Sequence, residues 1–343
     1  MNTADTTPTT TDPTTNLTPT SSTTTSSSTT TSSPTTTSSP TTISSPTPVN
    51  STPTSPADTT STDDNPYDLL AQDHDEGHRW AFGTGFTDPL EGIDTSVPDG
   101  LDAAALARYC LALGDDALIY SHRLQQWVTR LPELEEETAV ANIALDLLGQ
   151  ARMLLARAGA IDGRTEDELA FFRDEKDFRN VRLAEHEDRD FAELVGRLLI
   201  FSSWRLALFG KLATGPDPVL AAIAAKGAKE LTYHRDYAAR WVVRLGDGTD
   251  VSHDRMQAAL AALWPLTGEL FRPDPDALAV VEPADVDPIL DTVLALAGLD
   301  RPDTPPLAGV SGRTGRDGVH TEAMGFVLAE LQSLARAHPD ATW

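Results

Sequence analysis

The sequence predicts an all-α protein in which four long helices form a bundle and shorter helices pack around it. Four apolar segments of about twenty residues or more follow helix-capping residues or end at glycine and proline. No segment alternates apolar and polar residues convincingly with the period of two that indicates a strand. Long helices joined by modest connections are typical of a four-helix bundle with accessory helices.

Capping residues set the expected starts of the helices. Asp102, Asp190 and Ser252 each carry a side-chain oxygen that can accept a hydrogen bond from the first helical turn. Thr165 and Glu168 have the spacing of a capping box and predict a short helix. The long helices are expected at about 102–130, 135–158, 190–213 and 218–245, and further helices at about 252–270, 285–298 and 319–338.

The N-terminal part of the chain differs in composition from the rest. Residues 1–64 are almost entirely Thr, Ser and Pro, with no Lys, Arg or aromatic residue. We expect a disordered tail, because such a segment buries too little apolar surface to offset its conformational entropy. A secretory signal would need a basic start and an apolar run, which the tail lacks. Two glycosylation patterns, at Asn16 and Asn50, keep a glycosylated stalk as the alternative.

The rest of the chain divides into two expected parts. Residues 65–101 place aromatic side chains among Gly, Asp and Pro without periodicity, so an extended segment is expected there. Such aromatics usually fix a segment to a folded surface or to a partner chain. Residues 102–343 are expected to form the helical domain.

Charge and cysteine content exclude several classes of function. The formal net charge is −26, and a field of that sign repels phosphate backbones, so nucleic acid is not an expected partner. Cys110 is the only cysteine, which excludes a disulfide framework and a cysteine-ligated zinc or iron–sulfur site. On its apolar helix it is expected to be a core residue. No apolar run approaches the length that a bilayer requires, so we expect a cytoplasmic protein that does not bind membranes.

Polar side chains interrupt the apolar faces of all four long helices. Asn142, Asp146 and Gln150 follow one another by four residues, which puts them on one stripe of the second helix. Glu230 and His234 lie on an apolar seam of the fourth helix. The inward-facing polar positions are predicted to be Asp115, Asp146, Gln150, Arg205, Glu230 and His234, with Asp116 as the alternative to Asp115.

Carboxylates and a histidine inside a bundle suggest a metal site, but their spacing does not match a di-iron centre. That centre needs one Glu from each of two helices and a Glu-x-x-His motif from each of the other two. Gly149 stands three residues after Asp146, and Tyr233 stands three residues after Glu230, so that His234 comes one position late. We therefore expect no metal, no cofactor and no catalytic residue in this chain.

A hydrogen-bonded network is the predicted use of these positions. Buried charges are tolerated when they are paired, and here Arg205 and Lys226 are available as partners for the carboxylates. The alternative is a single-metal site formed by Asp146, Glu230 and His234, because residues four apart on a helix can face one ion.

A glycine-rich loop between Gly309 and Gly318 carries a small basic cluster in an otherwise acidic chain. Its side chains, Arg313 and Arg316, would suit an acidic partner or a coenzyme phosphate. A flexible loop without a ligand is the alternative.

Several segments resemble the structural, non-catalytic member of bacterial phenylacetyl-CoA 1,2-epoxidase complexes, their C component. The resemblance covers about 101–343, and the Thr/Ser/Pro tail departs from the family pattern. The segments that carry it are Leu113-Gly114-Asp115-Asp116-Ala117, Pro132-Glu133-Leu134-Glu135, Ala141-Asn142-Ile143-Ala144-Leu145-Asp146-Leu147-Leu148-Gly149-Gln150-Ala151-Arg152, Phe171-Phe172-Arg173-Asp174-Glu175, Lys229-Glu230-Leu231-Thr232-Tyr233-His234, His320-Thr321-Glu322 and the C-terminal Trp343.

The resemblance implies a ferritin-like fold and a role inside an oxygenase complex. It implies pairing with a catalytic subunit that carries the di-iron centre and binds phenylacetyl-CoA during aerobic phenylacetate degradation. It also implies accessory and reductase subunits, which supply electrons from NADPH through FAD and an iron–sulfur cluster. Two other readings stay open: a metal-binding oxygenase subunit, and a helical binding or regulatory module unrelated to oxygenation.

Overall fold

The structure, a computed structural model, describes residues 92–131 and 133–341. The predicted tail, residues 65–91 of the predicted extended segment, Pro132 and Trp343 lie outside the described residues. The helices are α1 (Ala103–Gln125), α2 (Leu134–Asp162), α3 (Glu166–Phe171), α4 (Arg182–Glu185), α5 (Phe191–Leu212), α6 (Pro218–Gly246), α7 (Asp250–Leu263), α8 (Pro283–Leu296) and α9 (Glu322–Ala337).

The predicted all-α, ferritin-like architecture is confirmed. Helix α1 packs along α2, α5 packs along α6, and α2 lies against α6. The α1 and α5 helices meet through Tyr120 and Phe201, whose rings pack edge to face with centroids 4.6 Å apart. Helices α7 and α8 cover α5 and α6, whereas α4 and α9 lie against α1. The four long helices therefore enclose a core that shorter helices shield on two sides.

Most of the predicted helix starts are confirmed by their side-chain bonds. Asp102 accepts from Ala104 and Ala105, Asp190 accepts from Glu193, and Thr165 forms the predicted capping box. Gly163 ends α2 in the left-handed conformation, with φ of 81°.

Several boundaries differ from the prediction, among them the end of α2 at Asp162 and the start of α9 at Glu322. Thr249 caps α7, and Ser252 stands three residues later, where its hydroxyl accepts from the Thr249 amide. Helix α1 ends at Gln125, and the chain then makes tight turns up to Arg130. Helix α7 ends at Leu263 and continues as a 3-10 helix, since Pro265 has no amide hydrogen for the α-helical bond.

Helices α5 and α6 approach closely at Gly227. A Cβ atom there would lie 2.6 Å from Cε2 of Phe209. Glycine is therefore required for this pair of helices to pack with its observed side chains.

Helix α2 corrects the expectation that no apolar run is long enough to cross a bilayer. With 29 residues and a mean hydropathy of 1.3, it is the one helix among the described residues that is long and apolar enough to cross a membrane. Of its most apolar window, 44% is buried inside the protein. Core helices of soluble proteins have the same composition, so this is weak evidence for a membrane span.

Candidate functional site

Gln150 stands at the centre of the polar groups inside the bundle. Its Nε2 donates to Oε2 of Glu230 at 3.0 Å, and its Oε1 accepts from Nε of Arg205 at 3.0 Å. Gln150 and Arg205 are both fully buried. One amide side chain on α2 thus links α5 to α6, and both of its polar atoms are satisfied.

Glu230 carries the network outward along α6. Its second carboxylate oxygen forms an ion pair with Lys226, one helical turn earlier. The side chains of Lys226 and Glu230 are partly exposed, so this pair lies near solvent. Lys226 is one of the two basic residues that the sequence offered as partners for the inward-facing carboxylates.

Asp146 and His234, both predicted to face inward, pair across α2 and α6. Nε2 of His234 lies 2.9 Å from Oδ2 of Asp146. The histidine is buried, whereas the carboxylate side chain is partly exposed. This bond uses Nε2 of the histidine and one carboxylate oxygen, whereas the second ring nitrogen, Nδ1, is buried and has no hydrogen-bond partner among the described residues.

Arg205 brings a positive charge into the middle of the bundle. Besides its bond to Gln150, it donates from Nη2 to the carbonyl oxygen of Leu113 at 3.1 Å, and its guanidinium lies 4.5 Å from the ring centroid of Phe209. Burial lowers the pKa of Arg205 to about 10. The side chain still carries its charge at neutral pH, so it places a buried cation in the interior of the bundle.

The negative partner on the α1 side is Asp116. Its Oδ2 lies 4.0 Å from Nη1 of Arg205 and accepts from Nη2 of Arg316 at 2.7 Å. Its Oδ1 accepts from the amide of Val181 at 2.8 Å. Burial raises the pKa of the Asp116 carboxyl, and the guanidinium of Arg316 opposes that shift. The network therefore runs from Lys226 on one side of the bundle to Arg316 on the other.

Asp115, predicted as part of this site, lies outside it. Its carboxylate pairs with Arg173 and accepts from the amide of Arg179 at 2.8 Å. The side chains of consecutive residues on a helix point about 100° apart, so the carboxylates of Asp115 and Asp116 face different neighbours. Asp115 anchors the segment before α4, whereas Asp116 faces the interior network.

The sequence did not predict Arg316 as a residue of the network. Its contacts also correct the alternative of a flexible loop between Gly309 and Gly318. Its guanidinium donates to Asp116 and to the carbonyl oxygens of Ala112 and Arg179, at 3.0 and 2.7 Å. It is therefore tied into the fold, which contradicts a flexible loop at this point, and its charge is already paired with Asp116. Arg313 is exposed and donates to the carbonyl oxygen of Asp317 at 2.7 Å. The only sequence signal for Arg316 was a basic residue among glycines in an acidic chain.

The residues inside the bundle do not fit a di-iron group or the single-metal alternative. In the described part of the chain, some groups of three His, Asp or Glu side chains have ligand atoms that all lie within 4.8 Å of one another. Asp146, Glu230 and His234 do not form such a group. Lys226 pairs with Glu230, and Arg205 bonds to Gln150, which itself donates to Glu230. Bound cations would be repelled by these two charges, which supports an ion-paired network at this position.

One of those clusters, His186 with Asp188 and Glu193, lies at the start of α5. Arg197 pairs with Asp188, and Arg189 pairs with Glu193. The two guanidinium groups already neutralise the two carboxylates, which disfavours a further cation.

A cleft of about 850 Å³ opens between α2 and α6 next to the network. Asp146, Glu230, His234 and Lys226 are among the residues that line it. Its remaining walls are formed by Glu136, Ala139, Asn142, Ile143, Lys229, Tyr233, Asp236, Tyr237, Arg240, Trp241 and Arg244. We call this feature the α2–α6 cleft.

The fold and the interior together define a ferritin-like helical protein whose long helices enclose a network of ion pairs and hydrogen bonds. A family model described as phenylacetic acid catabolic protein matches residues 94–343, and the chain belongs to that family. The chain is also 43% identical over 247 residues to the C component of the 1,2-phenylacetyl-CoA epoxidase of Escherichia coli (strain K12). The match covers 69% of this chain and 99% of the relative. The resemblance inferred from the sequence is confirmed.

Proposed function

We propose that this chain is a structural, non-catalytic subunit of a multicomponent phenylacetyl-CoA 1,2-epoxidase in phenylacetate catabolism. The observation that carries the proposal is the position of Arg205, whose buried guanidinium bonds to Gln150 in the centre of the bundle. A similar fold with a set of carboxylates in its centre could bind iron, whereas this interior places the cation of Arg205 there and links it through Gln150 to Glu230.

The chemistry would then belong to other subunits. In this proposal the partner is the catalytic di-iron subunit, and accessory and reductase subunits complete the complex. The reductase would supply electrons from NADPH through FAD and an iron–sulfur cluster, and this chain would hold no cofactor. The relative from Escherichia coli is itself one subunit of such an epoxidase, which supports assembly with other chains. We place the complex in the cytoplasm, where phenylacetyl-CoA and NADPH are available.

Co-expression with the di-iron subunit, followed by metal analysis of each separated chain, tests this function. We expect stable co-purification, iron only in the partner, and epoxidation only by the assembled mixture. Failure to associate would overturn the proposal.

Metal analysis of the isolated chain tests the alternative of a metal-binding subunit. Stoichiometric iron that disappears in His234→Ala, but persists in the control His338→Ala, would establish that alternative. His338 is exposed at the end of α9, so its loss should leave the interior unchanged.

A further inference from the structure

One side of α2 is apolar and largely uncovered. Leu134, Ala141, Leu145 and Leu148 recur at intervals of three, four and seven residues, so they lie along one side of the helix. Leu134 is 73% exposed and Leu145 is 57% exposed. Only 44% of the most apolar window of this helix is buried. We call this stripe the α2 outer face; exposed apolar stripes of this kind mark interaction surfaces.

The α2 outer face offers little charge to a polar partner. From Thr138 to Arg152, the one charged side chain on this side of the helix is Arg152 itself. Its Nη2 already forms an ion pair with Oε1 of Glu166 at 2.7 Å. The face therefore suits an occupant with apolar or aromatic side chains.

The described chain begins beside the same helix. Arg157 on α2 donates from Nη1 to the carbonyl oxygen of Thr95 at 2.5 Å. Ile93 and Val97, on either side of Thr95, pack against the core. Gly92 stands three residues before Thr95 and so lies within about 10 Å of this contact. The residues that precede Gly92 therefore enter the fold next to the C-terminal half of α2.

Those preceding residues carry the aromatic side chains that the face lacks. Trp80, Phe82 and Phe86 stand within twelve residues of Gly92. They precede the part of the chain that the family model matches, which begins at residue 94. Aromatic side chains bury about 150–250 Å² each and gain most from leaving water.

The reach of the segment matches the length of the face. Measured back from Arg157, Leu145 is 12 residues away and Leu134 is 23 residues away, or about 18 and 35 Å along the helix. At about 3.3 Å per extended residue, Phe86 reaches about 20 Å from the start of the described chain and Trp80 about 40 Å. A segment tethered this closely meets the face at an effective concentration of the order of millimolar.

We propose that residues 65–91 of this chain dock on the α2 outer face through Trp80, Phe82 and Phe86. The segment also carries six acids and one base, which would face water beyond the apolar contact. Both the segment and the face belong to this chain, so the docking does not depend on the function proposed above.

Limited proteolysis of the full chain tests this docking. Arg79 is the only Lys or Arg before Arg108, so cleavage by trypsin at Arg79 releases a single fragment, residues 1–79. Because trypsin cuts only the undocked segment, cleavage should be slower in the full chain than in a peptide of residues 65–91 by about tenfold or more. Mass spectrometry of the released fragment measures the rate.

Two substitutions should release the segment. Leu145→Ser on the face and, separately, Phe86→Ser on the segment should each speed cleavage at Arg79 by about fivefold or more. The matched control Phe326→Ser changes a side chain that is 62% exposed on α9, and should leave the rate within about twofold. Circular dichroism melts establish that the variants are folded. If Leu145→Ser fails to fold, Phe86→Ser decides, since it changes no residue of the helices.

Four results would contradict the docking. The first is cleavage of the wild type as fast as cleavage of the peptide, and the second is an unchanged rate in both release variants. Release by Phe326→Ser would place the segment on α9 instead. Finally, protection that requires the di-iron subunit, or a concentration at which the chain dimerises, would assign the face to that partner or to a second copy.

Discussion

Arg205 on α5 donates from Nε to Oε1 of Gln150 on α2, at 3.0 Å, and both side chains are fully buried. This bond joins two helices that come from different halves of the chain. It also orients the amide so that its Nε2 donates to Glu230 on α6. Gln150 is thus an uncharged side chain that bonds to a cation on one side and to an anion on the other.

The substitution Gln150→Leu should destabilise the fold by about 3 kcal/mol, because the guanidinium of Arg205 and the carboxylate of Glu230 would each lose a buried hydrogen bond. Urea unfolding followed by circular dichroism measures the change in the free energy of unfolding. The control is Arg152→Ala, which removes an ion pair to Glu166 from a side chain that is 68% exposed. It should change stability by less than about 1 kcal/mol. Equal effects in the two variants would contradict the role of Gln150.

Two helical glycines should respond in opposite directions to alanine. At Gly227 the new Cβ would meet the Phe209 ring at 2.6 Å, so Gly227→Ala should cost about 1–3 kcal/mol by forcing α5 and α6 apart. At Gly149 nothing lies within 4 Å of the new Cβ, and Gly149→Ala should stabilise α2 by about 0.5–1 kcal/mol. Thermal melts of the two variants measure the difference. A stabilising Gly227→Ala would show that the two helices can separate without loss of packing.

His320 should make stability fall as the pH rises above neutrality. Its Nδ1 lies 2.7 Å from a carboxylate oxygen of Glu185, and its Nε2 lies 3.2 Å from the carbonyl oxygen of Phe178. Both neighbours are acceptors, so the ring must carry both protons. Burial alone would lower the pKa of His320, but the hydrogen bond and the charge of Glu185 outweigh it and raise the pKa above its usual 6.5.

Because the folded state binds this proton more tightly than the unfolded state, the stabilisation is complete below pH 6.5 and is lost as the pH rises through the raised pKa. The free energy of unfolding, measured from pH 6.5 to about 8.5, should therefore decline in the wild type and stay flatter in His320→Gln. The exposed control His338→Gln should keep the wild-type decline. Burial lowers the pKa values of His122 and His186, so the titration of these two residues changes the stability only below pH 6.5. An unchanged slope in His320→Gln would refute the assignment.

Cys110 should resist thiol reagents in the folded protein. It is fully buried in α1, and burial raises the pKa of its thiol to about 12, so the reactive thiolate is neither formed nor accessible at neutral pH. Labelling with a chromogenic disulfide reagent should be slow in buffer and complete in 6–8 M urea, roughly the range in which small domains unfold. Rapid labelling without denaturant would show that the α1 packing opens readily.

Local signals in the sequence determined most of the helices. Asp102, Thr165 and Asp190 each satisfy amides within their own first turn, and Gly163 ends α2 within its own turn. Such contacts join residues a few positions apart, and can therefore be read from spacing alone. Periodicity likewise placed Gln150 and His234 on inward faces, and the missing Glu-x-x-His spacing indicated that two irons would lack ligands.

The tertiary structure alone decided which of these groups meet. Arg316 reaches Asp116 across 200 residues of chain, and nothing local distinguishes Asp116 from its neighbour Asp115. The α2–α6 cleft likewise exists only because two helices far apart in sequence leave a gap between aromatic and charged side chains. Helix starts depend on residues that are neighbours in the chain, so the sequence shows them directly. Long-range ion pairs and surfaces depend on how the helices pack, so only the folded structure shows them.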